Sequence, residues 1–278
     1  MIEFKRKDFM TGKKILFVSS EVIPYLPNND ISTLSYNLPK MINANGGQTR
    51  IFIPKYGIIN ERRHQLHEVI RLSGMNLIID DIDMPLIIKV ASIPKERMQV
   101  YFIDNDEYFK NRGLQTNENR KLYNDNDERA IFFAKGVIET IKKLNWSPDI
   151  IHVHGWIAYL LPLYIKEYYK YEPILNNPKV VVSIYGNELE GNLNKEIVKK
   201  IQFDEINSDT LNVFKNPTYL DLSKNAILNS DGVVFVDDKV DESLSKLVKK
   251  EEKPLLKCGF NENFKEEYLN FYSTKILN

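Results

Sequence analysis

His152 and His154 stand one residue apart at the end of a run of β-branched residues, Asp149-Ile-Ile-His-Val153. In an extended chain, side chains two positions apart point to the same side. Both imidazoles would then face together from the carboxyl edge of a sheet, where open α/β sheets hold ligands. A metal would need a third ligand, and His64 or His67 would have to be brought to the pair. Two histidines that position a loop need nothing more, and that is the simpler reading. Asp104-Asn-Asp106 and Asp125-Asn-Asp127 each have the spacing by which some sugar transferases hold a divalent ion between nucleotide phosphates. A strand-end turn for the first and a helix cap for the second explain them without metal. Tyr164, Tyr168, Tyr169 and Tyr171 cluster after the histidine strand. Aromatic faces stack on sugars, yet a helix packed on a sheet uses the same residues, so core packing is the default. Walker-type GxxxxGK[ST], GxGxxG, GxSxG, HExxH and CxxC patterns are absent from the sequence.

The elements that would position these groups alternate. Lys14–Ser19, Thr49–Ile53, Gln99–Ile103, Asp149–Val153, Lys179–Ile184 and Gly232–Val236 are short β-branched and aromatic runs, as in strands buried on both faces. From Asp127 to Leu144, Ala130, Ile131, Ala134, Val137, Ile138 and Ile141 recur at helical spacing, with Asp127 as a candidate cap. A second amphipathic helix is expected over Ser32 to Asn45, ended by Gly46. Met75–Ile79 and Leu86–Val90 flank Asp80-Asp-Ile-Asp83 and predict a hairpin. The alternation predicts a doubly wound, mostly parallel α/β sheet with a β-hairpin insertion. With no Pro/Gly/Ser-rich linker or repeat, residues 1–278 are expected to form one domain with a charged helical tail from about Val240 to Asn278.

Of the 278 residues, 43% are apolar and 27% charged, and 38 basic side chains balance 38 acidic ones. That composition is globular, and a net charge of zero supplies no field to draw in nucleic acid or an anionic membrane. Cys258 is the single cysteine, which excludes an internal disulfide. No apolar run approaches the ~18 residues of a membrane span. The expectation is a cytoplasmic protein without nucleic-acid or membrane partners.

Taken in order, several segments resemble the N-terminal half of glycogen and starch synthases, glycosyltransferase family five. Lys14-Ile-Leu-Phe-Val-Ser-Ser-Glu-Val-Ile-Pro24 is similar to the family's opening strand and SE-x-x-P turn. Val100-Tyr-Phe-Ile-Asp104 with Tyr108-Phe109 resembles its Y-x-x-D and aromatic pair. Pro148-Asp-Ile-Ile-His-Val-His-Gly-Trp156 with Leu161-Pro-Leu-Tyr164 resembles P-D-[IV]-[IV]-H-x-H-D-W and L-x-P-x-Y. Ala226 to Val236 resembles the strand before the family's T-V-S-P turn. The resemblance implies the N-terminal Rossmann-like half of a glycosyltransferase type B fold, which takes the glucan acceptor. A second domain, which supplies most of the sugar-nucleotide pocket, would begin about where Asn278 ends the chain. It also implies Glu21 and His154 as candidate catalytic residues, Tyr101, Asp104, Trp156 and Asn187 as candidate substrate contacts, and no cofactor.

Several family positions are changed. Where the family turn reads K-T-G-G-L, Pro27 falls at the lysine and Asn29 and Asp30 at the glycines. That exchange removes an ammonium, adds β-carbons where backbone must approach a ligand, and puts a carboxylate where phosphate would sit. Gly155 replaces the aspartate of H-D-W-H, Ile157 its last histidine, and Tyr185 opens the pair that replaces H-N after the next strand. Each lost polar contact costs a transferase on the order of 3 kcal/mol of transition-state stabilisation. Two functions are therefore expected in turn. One is an ADP-glucose- or UDP-glucose-dependent α-1,4-glucan glucosyltransferase, weak or inactive unless another chain completes it. The other is a non-catalytic protein that binds glucan or a protein partner on its open face. A DxD-dependent metal transferase ranks last.

Overall fold

The computed structural model describes residues 10–96, 98–214, 216–258 and 263–278. Its strands are β1 (Lys14–Ser19), β2 (Gln48–Pro54), β3 (His67–Glu68), β4 (Met75–Ile79), β5 (Ile82–Ile93), β6 (Met98–Asp104), β7 (Ile150–His154), β8 (Lys179–Ile184), β9 (Gly232–Phe235) and β10 (Leu255–Lys257). The helices are α1 (Asp30–Ala44), α2 (Glu61–His64), α3 (Asn126–Leu144), α4 (Leu161–Lys166), α5 (Ile197–Phe203), α6 (Tyr219–Leu228), α7 (Glu242–Lys250) and α8 (Phe264–Phe271), the last running into a π turn, Tyr272–Ile276. The strands lie in the order β10-β9-β8-β7-β1-β2-β6-β5-β3, with β4 paired to β5. From β10 to β6 every neighbour is parallel. This is the doubly wound α/β sheet that the β-branched runs predict, because strands buried on both faces need apolar side chains at every position.

Handedness then decides which helix covers which face. The chain steps from β1 to β2 in one direction and from β7 through β8 and β9 to β10 in the other. Right-handed crossovers place the connecting helices of the two halves on opposite faces. Accordingly α3 contacts α4, α4 contacts α6 and α6 contacts α7 in one layer, while α1 meets α8 in the other. Among the described residues no crossover helix lands on the α1 face of β7 to β9, and α8 with its π turn fills that place. A Cβ on Gly232 would meet Phe271 Cζ at 3.2 Å, and Tyr268, Phe271, Tyr272 and Ile276 are buried there. The described residues after Val240 supply the charged helix α7, an edge strand and part of the core.

Local signals hold with small shifts. Helix α1 starts two residues early because Asn29 caps it, accepting from Ser32 N at 2.8 Å while Ser32 Oγ accepts from Asn29 N at 2.9 Å. Its buried stripe includes Leu34, Leu38, Met41 and Ile42. Asp127 does not cap α3; it lies in the first turn, paired with Lys200 at 2.8 Å. The hairpin turn is Asp80-Asp81, both at positive φ (46° and 67°), which suits a tight two-residue connection. Among the described residues no helix is long and apolar enough to cross a membrane.

Candidate functional site

The strand order reverses between β1 and β7, and ligands of open α/β sheets bind in the crevice outside the carboxyl ends at such a point. A cleft of about 620 Å³ opens there. Four strand ends build it: Glu21 follows β1, Trp156 follows β7, Asn187 and Glu188 follow β8, and Asp237 and Lys239 follow β9. The first turn of α1 adds Asn29 and Asp30, and residues 113–116 form the opposite wall.

Hydrogen bonds fix each wall. Ser35 Oγ donates to Ser19 Oγ (2.7 Å), which donates to the Glu21 carbonyl (2.8 Å) and holds the turn after β1. Asn29 Nδ2 donates to Glu21 Oε2 at 2.8 Å. Burial raises the Glu21 pKa above the ordinary carboxyl value, while the Asn29 amide works against that rise. The fully buried Arg129 holds the opposite wall, donating to the carbonyls of Gly113 (2.8 Å) and Leu114 (2.9 Å) and to Asn126 Oδ1 (2.7 Å). Burial lowers its pKa to about 10. Gln115 Nε2 donates to the Glu188 carbonyl at 2.9 Å and ties this wall to the β8 loop.

Glu188 anchors the centre. Its Oε2 accepts from Trp156 N at 3.0 Å, and Tyr219 OH donates to its Oε1 at 3.0 Å. Tyr159 OH lies 3.1 Å from Oε1 but also 2.8 Å from the Ser183 carbonyl, and its one proton serves both. Burial pushes the Glu188 carboxyl up to about 7. Gly155 lies directly behind, at φ 83° and ψ 150°, a conformation essentially reserved for glycine. A Cβ there would collide with Ser20 Oγ, lie 2.7 Å from Ser20 Cβ and come within 3.3 Å of Glu188 Oε2.

The cleft therefore carries four carboxyl groups, Glu21, Asp30, Glu188 and Asp237, against one lysine, Lys239. Such walls accept hydrogen bonds from hydroxyls and give little to a phosphate.

The starch synthase catalytic domain profile matches residues 14–254. The chain belongs to that family. Glycogen synthase of Chlorobium limicola is 37% identical over 196 residues, which cover 70% of this chain and 40% of the relative. Glycogen synthase of Pelodictyon phaeoclathratiforme is 32% identical over 238 residues, 83% of this chain and 48% of the relative. The chain thus spans less than half the length of these curated relatives. The catalytic domain of starch synthase IV from Arabidopsis thaliana, bound to ADP and acarbose, superposes with a TM-score of 0.70 over 90% of this chain and 51% of that one. At 18% identity that likeness is one of fold.

Of the residues that starch and glycogen synthase resemblance singles out, Glu21, Trp156 and Asn187 come together in the cleft with Asn29, Asp30 and Tyr185. His154 does not reach it: the ring is 0% exposed, Nδ1 bonds Tyr185 OH at 2.8 Å and burial lowers its pKa to about 3. His152 lies beneath it, ring centroids 4.1 Å apart, bonded to Tyr272 OH and Ser183 Oγ, so the pair is a packed column under the cleft. Ile157 is buried in the turn after Trp156, and Pro27 is exposed outside the cleft, its carbonyl accepting from Ser32 Oγ at 2.8 Å. Tyr101 stacks on Phe52 with its hydroxyl bonded to Arg50 and Gln99, and Asp104 pairs with Lys89 at 2.9 Å; neither lines the cleft. The other DxD carboxylates are also paired, Asp106 with Lys110 and Asp125 with Arg112. Among the described residues no group of three or more His, Cys, Asp or Glu is arranged to hold a metal ion. Of the tyrosine cluster, Tyr164 and Tyr169 are core, while Tyr168 and Tyr171 are 44% and 87% exposed. Glu188, Arg129, Asp237 and Lys239 escaped sequence reasoning; a strand-end position was the available signal for Glu188, next to Asn187.

Proposed function

We propose that this chain binds a neutral α-glucan segment in the β1/β7 cleft and that these residues do not sustain efficient glucosyl transfer on their own. The carrying observation is the charge of the cleft, four carboxyl groups to one ammonium, with Asp30 in the first turn of the helix that points into it. The Arabidopsis domain is described with ADP and acarbose; for this chain the same two kinds of ligand, nucleotide and sugar, are the options. A carboxylate about 4 Å from a phosphate costs up to about 4 kcal/mol at an effective dielectric near 20. Sugar hydroxyls, in contrast, donate to carboxylates such as those that line the cleft. Membership of the starch synthase catalytic domain family supports glucan as the sugar.

Two measurements on the purified protein test this. Co-sedimentation should carry it down with glycogen, and labelled glucose from ADP-glucose or UDP-glucose should not accumulate in glycogen at an enzymatic rate. Efficient transfer, or a donor bound in order against the turn at Pro27, overturns the assignment. So does failure to bind glycogen.

A further inference from the structure

Ser20 and Glu188 border the space that a side chain at position 155 would need, Ser20 more closely. Glu188 Oε2 lies 3.3 Å from the point where a Cβ of Gly155 would stand, on the side where Ser20 Oγ is buried with no hydrogen-bond partner among the described residues. The carboxyl group thus comes from the loop after β8 to the end of β7, the same place by a different route. A carboxylate oxygen accepts two hydrogen bonds. Oε2 has one, from Trp156 N, and no other described residue supplies the second. Tyr159 and Tyr219 engage the other oxygen and hold the group still at the edge of the cleft.

We propose that Glu188 is the residue that recognises the sugar: its Oε2 accepts a hydrogen bond from a hydroxyl of the bound α-glucan. The proposal rests on the glucan reading above and names the group that enforces it. Ionised groups accept more strongly than neutral ones, so the bound hydroxyl favours the carboxylate form. Linkage gives the sign. With a free-protein pKa raised to about 7, binding lowers that value, and affinity rises as pH increases through this range to a plateau once free Glu188 is ionised. The charged and titratable groups around it are Glu21 after β1, Tyr56 after β2, Asp30 on α1, Tyr159 after β7, Tyr185 after β8, Tyr219 on α6, and Asp237 and Lys239 after β9. Among these carboxyl groups a value raised as far as neutrality is resolved for Glu188; Glu21 is raised as well, so its contribution needs its own control.

The test is calorimetric titration of the full chain with maltoheptaose from pH 5.5 to 8.5. Wild type should bind up to about tenfold more tightly at the alkaline end, the equivalent of a one-unit pKa change. Glu188→Gln should bind at least about tenfold more weakly at pH 8 and lose the dependence. Glu21→Gln should keep it, with the midpoint moved to lower pH because a neighbouring negative charge is gone. Should Glu188→Gln fail to fold, carboxyl carbon NMR of wild type gives the same answer: the group titrating near 7 must shift to lower pH when sugar is added. A flat profile in wild type, or Glu188→Gln binding as well as wild type, overturns the role of Glu188 and leaves glucan binding standing. No binding at any pH overturns the glucan reading and this assignment with it.

Discussion

At the scale of single residues, the cleft depends on groups that touch no ligand. Arg129 is charged and fully buried, tolerated because its guanidinium satisfies two carbonyls and Asn126 and lies 5.2 Å from the Phe109 ring centroid. Replacing it by leucine strands the Gly113 and Leu114 carbonyls, each unsatisfied group costing about 1–3 kcal/mol. Arg129→Leu should lower unfolding free energy by about 2–4 kcal/mol in urea titration and increase hydrogen exchange across 113–116. An unchanged midpoint would show that the wall holds itself. Glu21, Trp156 and Asn187 were legible in the sequence because they follow strand ends, where register and resemblance agree. Glu188 was not: its role follows from where a loop folds back, and no periodicity encodes that. Nor was the burial of His154, since alternation tells which face a side chain takes and not how deeply Tyr185 covers it.

At the scale of elements, β7 carries a cost that pH reveals. Both of its histidines are neutral in the fold, His154 with a pKa lowered to about 3 and His152 well below its ordinary value. Below the unfolded value near 6.5, the unfolded chain binds protons that the native strand does not, so stability falls as pH drops from about 6.5 towards 3. Each histidine contributes up to about 1.4 kcal/mol per pH unit. Glu188 acts in the opposite sense between about 4.5 and 7, its raised pKa favouring the native state at the acid end. Burial also raises Glu21, Asp104 and Asp127, which act with Glu188, so the histidine contribution is read by comparison: between pH 6.5 and 5 the urea midpoint of wild type should fall relative to that of His154→Gln. A constant difference between the two midpoints would mean that His154 is charged in the native state. Most strands were read to within a residue at each end because continuous apolar runs admit few alternatives, but β5 was read over Leu86–Val90 and runs from Ile82 to Ile93. The two-residue β3 and three-residue β10 were missed, being too short to carry a pattern.

For the whole molecule, the decisive element is the last one. Without α8 and its π turn, the α1 face of β7 to β9 would meet water, including His152 and Ser183. Each fully buried Tyr268, Phe271, Tyr272 or Ile276 is worth about 1.5–3 kcal/mol. Together they rival the whole stability of an ordinary domain, about 5–15 kcal/mol. A chain lacking residues 263–278 should be insoluble or unfold without cooperativity by calorimetry, and a sharp native-like transition would refute this account of the core. In the sequence Lys265, Glu266, Glu267 and Lys275 interrupt the apolar positions of this segment, so that it reads as a charged tail. The burying stripe shows itself only once the uncovered half of the sheet is known.

Gly155 has one further consequence. Its backbone angles and the Ser20 hydroxyl pressed against it leave no room for a side chain of any kind. The aspartate that family resemblance places at this position does not fit this backbone as it stands. Accommodating one would require Gly155 to change its backbone angles, Ser20 to move and Glu188 to give by a few tenths of an ångström. A strand end built this way offers the pocket the Glu188 carboxyl and no side chain from position 155.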